Sequence, residues 1–117
     1  MAARHQVVLF LCLMKEAASR RFVLSPRKKN LDTLALLGIT QADAKERVIG
    51  LMPEDYVSGP SANDKRPGEE VWVFGVKVEE QEVYVKVSVV DEPLLCTRIS
   101  FHVADKALFY PVQGPAR

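Results

Sequence analysis

The chain carries only two cysteines, Cys12 and Cys96, and neither stands in a CxxC or other metal-type spacing. They fall in segments that read as a buried helix and a strand, and are expected as reduced cytosolic thiols rather than a disulfide. Long apolar runs are also missing. VVLFLCLM (Val7 to Met14) is followed at once by Lys15 and Glu16, whereas a spanning helix needs about 20 apolar residues. A buried amphipathic helix is expected there instead of a signal peptide or membrane span. No charge of one sign dominates: the net charge of +1 excludes binding of nucleic acid or membrane by bulk charge, so any basic site must be local. HExxH, G-x-S-x-G, glycine-rich phosphate loops and grouped carboxylates on one face are absent too. Neither a metal nor a cofactor is therefore expected.

What is present is an ordinary globular composition in 117 residues, 48% hydrophobic and 26% charged, which suits one domain over 1–117 with a modest core. In the first helix Val7, Leu11, Met14 and Ala18 form a core stripe, with a partner-docking surface as the alternative reading, and the helix should end near Arg20. RFVL (Arg21 to Leu24) suits one brief strand before Ser25-Pro26 turns the chain. A second helix is expected with Asn30 as its cap, Leu31, Leu34 and Ala35 as its buried stripe and Gly38 at its end. A third begins at Thr40, with Asp43 completing a capping box and Ala44, Val48 and Leu51 buried. Tyr56 to Gly68 has no period and many turn formers, including Gly59-Pro60, and reads as a loop. Val71 to Glu79, Glu82 to Val90 and Leu94 to His102 then read as three strands, with Ala107 to Val112 as a further edge strand. Helices followed by an antiparallel meander predict an α+β fold with the N-terminal helices packed on one face of the sheet.

The strand EVYVKVSVV alternates strictly, so Val83, Val85, Val87 and Val89 share one face and Tyr84, Lys86 and Ser88 the other. With Glu80-Gln81 as the turn, Val78 is expected opposite Val83 and Lys77 opposite Tyr84. Keeping Ile99 and Phe101 in the core places Arg98 and His102, with Cys96 and Ser100, on the face of Tyr84 and Lys86. Two registers satisfy this: one sets Lys86 opposite Arg98, the other Tyr84 opposite His102. Lys77, Tyr84, Lys86, Arg98 and His102 then share an open face with no carboxylate at its centre. Like charges across strands repel, and an anion would relieve that repulsion. The plainer alternative is an ordinary solvated face.

That set suits metal-free RNA cleavage, in which a 2′-hydroxyl attacks the adjacent phosphate. His102 is the side chain best matched to proton transfer near neutral pH, as a general base requires. Tyr84 can hydrogen-bond or donate a proton to the phosphate or leaving oxygen, and Lys86 and Arg98 can stabilise its charge. Arg27, Lys28 and Lys29, with Arg20 and Arg21, form a second basic concentration suited to phosphate contacts, and Lys65 and Arg66 would close over the same ligand. His102 could instead merely bond a backbone carbonyl.

The succession RKKNLDTLALLGIT, the turn Glu54-Asp55-Tyr56 followed by SGP, then WVFG, EVYVKV and ISFH resembles the MqsR family of bacterial toxins over roughly Phe22 to His102. The resemblance implies a RelE-like fold and a sequence-selective, metal-independent endoribonuclease acting on mRNA in the cytoplasm. It also implies a cognate antitoxin protein that neutralises it, with the ribosome a further candidate partner. The tyrosine implicated in the family falls on Tyr84 and the next lysine of that strand on Lys86. Elsewhere the pattern departs: family lysines meet the Val57-Ser58 region and His102, and a family glutamine meets Val73. The competing function is a catalytically inactive RNA- or protein-binding module of the same fold. A third is a structural subunit docking through the Val7 to Met14 helix.

Overall fold

Apolar side chains recurring every three or four residues make Arg4–Arg20 a helix, α1, that buries Val7, Phe10, Leu11, Met14, Ala17 and Ala18. The computed structural model describes residues 2–62, 69–91 and 94–112, with the backbone alone at 90, 91, 94, 95, 97 and 98. After α1 come β1 (Phe22–Leu24), α2 (Lys28–Leu37), α3 (Gln41–Ile49), a 3-10 turn (Pro53–Asp55) and β2 (Tyr56–Ala62), then β3 (Glu70–Val78), β4 (Gln81–Asp91) and β5 (Leu94–Val103). The strands form one sheet ordered β1-β5-β4-β3-β2, antiparallel except where β1 runs parallel to β5. The fold is α+β. Its core unites the α1 stripe with Trp72, Phe74, Val78, Val83, Val85, Val87, Ile99 and Phe101 from one face of the sheet. Phe10 stacks on Trp72 at 4.4 Å between ring centroids, tying helix to sheet. Cys12 is exposed on α1 rather than buried with the stripe, and both cysteines are free.

The second helix departs from expectation at its start. Arg27, not Asn30, occupies the N-cap, and Leu31 and Ala35 are exposed while Asn30, Thr33 and Leu34 are buried. The reason lies in β5, which β1 covers only as far as Ile99. Beyond that point side chains of α2 replace a neighbouring strand. Asn30 donates from Nδ2 to the Ile99 carbonyl at 3.3 Å and accepts from Phe101 N at 2.9 Å, and Thr33 Oγ1 accepts from Val103 N at 3.1 Å. Backbone groups buried without a partner cost about 1–3 kcal/mol each, so this edge needs polar side chains where an amphipathic pattern expects apolar ones. Gly38 ends the helix at φ 67°, and Thr40 and Asp43 cap α3 reciprocally, both as expected.

Tyr56–Ala62 is a strand and not a loop. It pairs with β3 through two register shifts, and Tyr56, fully buried, donates its hydroxyl to the Gly59 carbonyl. Gly59-Pro60, joined by a cis peptide bond, lies within the strand rather than in a turn. Proline is tolerated because β2 is the sheet's edge. Residues 63–68 of the expected loop, with Lys65 and Arg66, lie outside the described residues.

The β3–β4 turn is Glu79-Glu80, both at positive φ, as a two-residue hairpin turn demands. Val78 therefore faces Gln81, Lys77 faces Glu82 and Gly75 faces Tyr84, two residues away from the expected register. A shift of two preserves the faces, so the valines stay in the core. Between β4 and β5, Tyr84 faces His102 and Lys86 faces Ser100, which selects the second of the two expected registers. The register then slips between Lys86 and Ser88, where Arg98 and Ile99 together stand against Val87. This bulge reverses the alternation beyond it. Cys96 consequently lies fully buried in the core instead of on the open face, and burial pushes its thiol up to about 12.

Candidate functional site

Tyr84 and His102 meet on the open face because antiparallel pairing sets them side by side on neighbouring strands. Their rings stack with centroids 5.0 Å apart and planes 23° from parallel. Burial raises the Tyr84 phenol above its ordinary value, so it is a hydrogen-bond donor at neutral pH. His102 Nδ1 lies 3.0 Å from the Val103 carbonyl oxygen. That carbonyl can only accept, so the contact requires a proton on Nδ1, and in the neutral imidazole this leaves the lone pair on Nε2.

The pair opens into a cavity of about 410 Å³ whose wall also includes Arg27, Lys86, Ser100, Asp105, Lys106 and Leu108. Arg27 arrives from the N-cap of α2, brought there because Ser25 N bonds the Ile99 carbonyl at 2.9 Å and turns the chain past β5. Arg27, Lys86 and Lys106 form no ion pair among the described residues. Among the described residues three cations then line the cavity against one carboxylate, Asp105, which is itself paired with Lys29, and this excess makes a local field that favours a polyanion despite the near-neutral net charge.

Several expected members stand elsewhere. Lys28 is paired with Asp32 at 2.7 Å, and Lys29 with Asp105 at 3.5 Å, so Lys29 touches the site only through a residue that lines it. Lys77 is exposed on the open face, opposite Glu82 and outside the cavity wall. Arg98 belongs to β5, and its side chain lies outside the described ones. The open face does hold carboxylates: Glu82 stands opposite Lys77, and Asp105 lines the cavity.

Ala107 to Val112 is not an edge strand. It returns across the open face, where Leu108 N and the Tyr110 hydroxyl both bond the Glu82 carboxylate. Gly75, the residue opposite Tyr84, makes this possible, because a Cβ there would lie 2.7 Å from Leu108 Cδ1. Sequence reasoning passed over Asp105, Lys106 and Leu108. The available signal was a glycine between Phe74 and Val76 in a strand of bulky residues, which marks a close approach by another segment.

Comparison of the chain with protein-family models, with curated proteins and with solved structures finds no match. Among the described residues no three of His, Cys, Asp and Glu are grouped to hold a metal ion, and no helix is long and apolar enough to cross a membrane. A second groove, of about 340 Å³, lies between Leu9, Phe10 and Leu13 of α1 and Glu70, Trp72 and Val89 of the sheet. The exposed side of α1 therefore belongs to Val8, Leu9 and Leu13, while Val7, Leu11 and Met14 serve the core.

Proposed function

We propose that this chain is a metal-independent endoribonuclease that cleaves mRNA, of the RelE-like kind to which MqsR-family toxins belong. On this reading it works in the cytoplasm and is neutralised by a cognate antitoxin protein. The observation that carries the reading is the stacked Tyr84–His102 pair opening into a cavity walled by Arg27, Lys86 and Lys106. In the proposed reaction Nε2 of His102 takes the 2′-hydroxyl proton as the 2′-oxygen bonds to phosphorus. The bond from phosphorus to the 5′-oxygen breaks, leaving a 2′,3′-cyclic phosphate and a 5′-hydroxyl. Tyr84, kept protonated by burial, gives its phenolic proton to the leaving 5′-oxygen and regains one from solvent while His102 returns its own to water, and Lys86 with Arg27 offsets the charge gathering on the phosphoryl oxygens.

Incubating the protein with mixed-sequence RNA in EDTA and mapping the ends tests the reaction. New ends bearing 2′,3′-cyclic phosphate are expected, and a substrate with 2′-deoxy sugars should remain intact. Cleavage of the deoxy substrate would contradict the mechanism. A second reading, a binding module without cutting activity, draws on the His102 contact to the Val103 carbonyl, which a purely structural histidine would also make. Tight RNA binding with intact RNA would favour it.

A further inference from the structure

One wall of the proposed site is not built by the sheet. Asp105, Lys106 and Leu108 reach the cavity from the segment after β5, and that segment is fastened at three points to one residue, Glu82. The Glu82 carbonyl accepts from Ala104 N at 2.9 Å, its Oε1 from Leu108 N at 2.9 Å, and its Oε2 from the Tyr110 hydroxyl at 2.7 Å. These contacts bracket Lys106 in sequence, two residues before it and two and four after. Gly75 leaves the room in which Leu108 and Tyr110 lie against the sheet. Burial, with Glu82 beside it, raises the Tyr110 phenol, so its proton remains available to the carboxylate. Lys106 itself is exposed and without an ion pair among the described residues, so its ammonium is placed through its backbone, which this fastening holds on both sides and the exposed Lys29–Asp105 contact at 3.5 Å holds one residue before it.

We propose that Glu82 is a positioning residue that holds the 104–110 segment over Gly75 so that Lys106 contributes one phosphate contact to the RNA site at Tyr84 and His102. The inference rests on the ribonuclease reading. Its consequence runs against simple electrostatics. Removing an acidic group from a basic face should by itself strengthen RNA binding, whereas loss of the fastening should weaken it.

The test is equilibrium binding of a single-stranded 2′-O-methyl RNA, which cannot be cut, over a range of salt concentrations. Lys106→Ala should weaken binding about fourfold near 0.15 M salt and reduce the slope of log affinity against log salt by about 0.7, the signature of one lost phosphate contact. Glu82→Ala should do the same, and the double variant should bind no more weakly than Lys106→Ala alone. Glu82→Gln, which can still accept from Leu108 N, should recover most of the affinity. Gly75→Ala, which crowds Leu108 and Tyr110 from the other side, should repeat the loss. Tyr110→Phe removes a single donor and carries the test if the thermal melt of Glu82→Ala differs from that of the parent. Binding by Glu82→Ala equal to or tighter than the parent, with an unchanged slope, overturns the positioning role and leaves the ribonuclease reading standing. A parent protein that does not bind RNA overturns both.

Discussion

Val83, Val85 and Val87 have no exposed surface, while Tyr84 and Lys86, one residue along the same strand, are only partly buried and line a cavity with a segment that does not belong to the sheet. The valine face is closed by α1, whose stripe repeats at the helical period and meets it as one apolar layer. The other face is assembled from pieces: Arg27 from a helix start, Lys106 and Leu108 from a returning tail, and Tyr84, Lys86 and His102 from two strands. The first face is held by area removed from water, the second by a few directed contacts. Substitutions on the first should therefore cost stability, and substitutions on the second should cost function.

The largest break in that comparison should come from Phe101→Ala. It empties a fully buried site in the core and should cost about 3–5 kcal/mol in urea unfolding. A loss below about 1 kcal/mol would mean the core face is not packed as described. Asn30→Ala comes next at about 2 kcal/mol, because Phe101 N loses its acceptor at the edge of β5. Replacement without measurable loss would imply that another group covers that edge.

Alkaline pH acts on both faces in the same direction. Cys96 on the core face and Tyr84 on the open face both have folded pKa values raised by burial, the first from 9.0 to about 12. A raised value means that the folded state holds its proton more tightly, so this contribution is intact below pH 9 for the thiol and is lost as pH rises towards 12. Unfolding free energy should decline between pH 9 and 12, and Cys96 should resist thiol reagents that modify exposed Cys12. Equal reactivity of the two thiols in the folded protein would break the assignment. The smallest effect should divide the open face itself. Lys86→Ala should weaken RNA binding about fourfold near 0.15 M salt, while Lys77→Ala, outside the cavity, should change it by less than about twofold.

Regular patterns in the sequence translated into structure where one physical requirement acted alone. The 3.6-residue stripe of α1, the Thr40–Asp43 cap and the alternation of β4 each serve a single neighbour, and each appears as expected. The pairing of Tyr84 with His102 is one of the two registers that the same alternation allows, and the structure selects it. Patterns misled where a second requirement intervened. Asn30 looks like a cap but answers unpaired backbone on β5, and the bulge at Arg98-Ile99, which carries no glycine to announce it, sends Cys96 inward. Gly59-Pro60 looks like a turn but lies in an edge strand. Lys106 was beyond reach because its place depends on where the tail returns, which is set by Glu82 and by the missing side chain of Gly75.

The central claim is that the open face does chemistry through Tyr84 while the valine face supports it. The most direct measurement is the single-turnover rate of RNA cleavage by Tyr84→Phe beside its thermal melt. Phenylalanine preserves the ring stacked on His102 and removes only the hydroxyl. The account predicts a rate lower by about 100-fold or more with the melting temperature nearly unchanged. A cleavage rate equal to that of the parent, in a protein that melts like the parent, would contradict it.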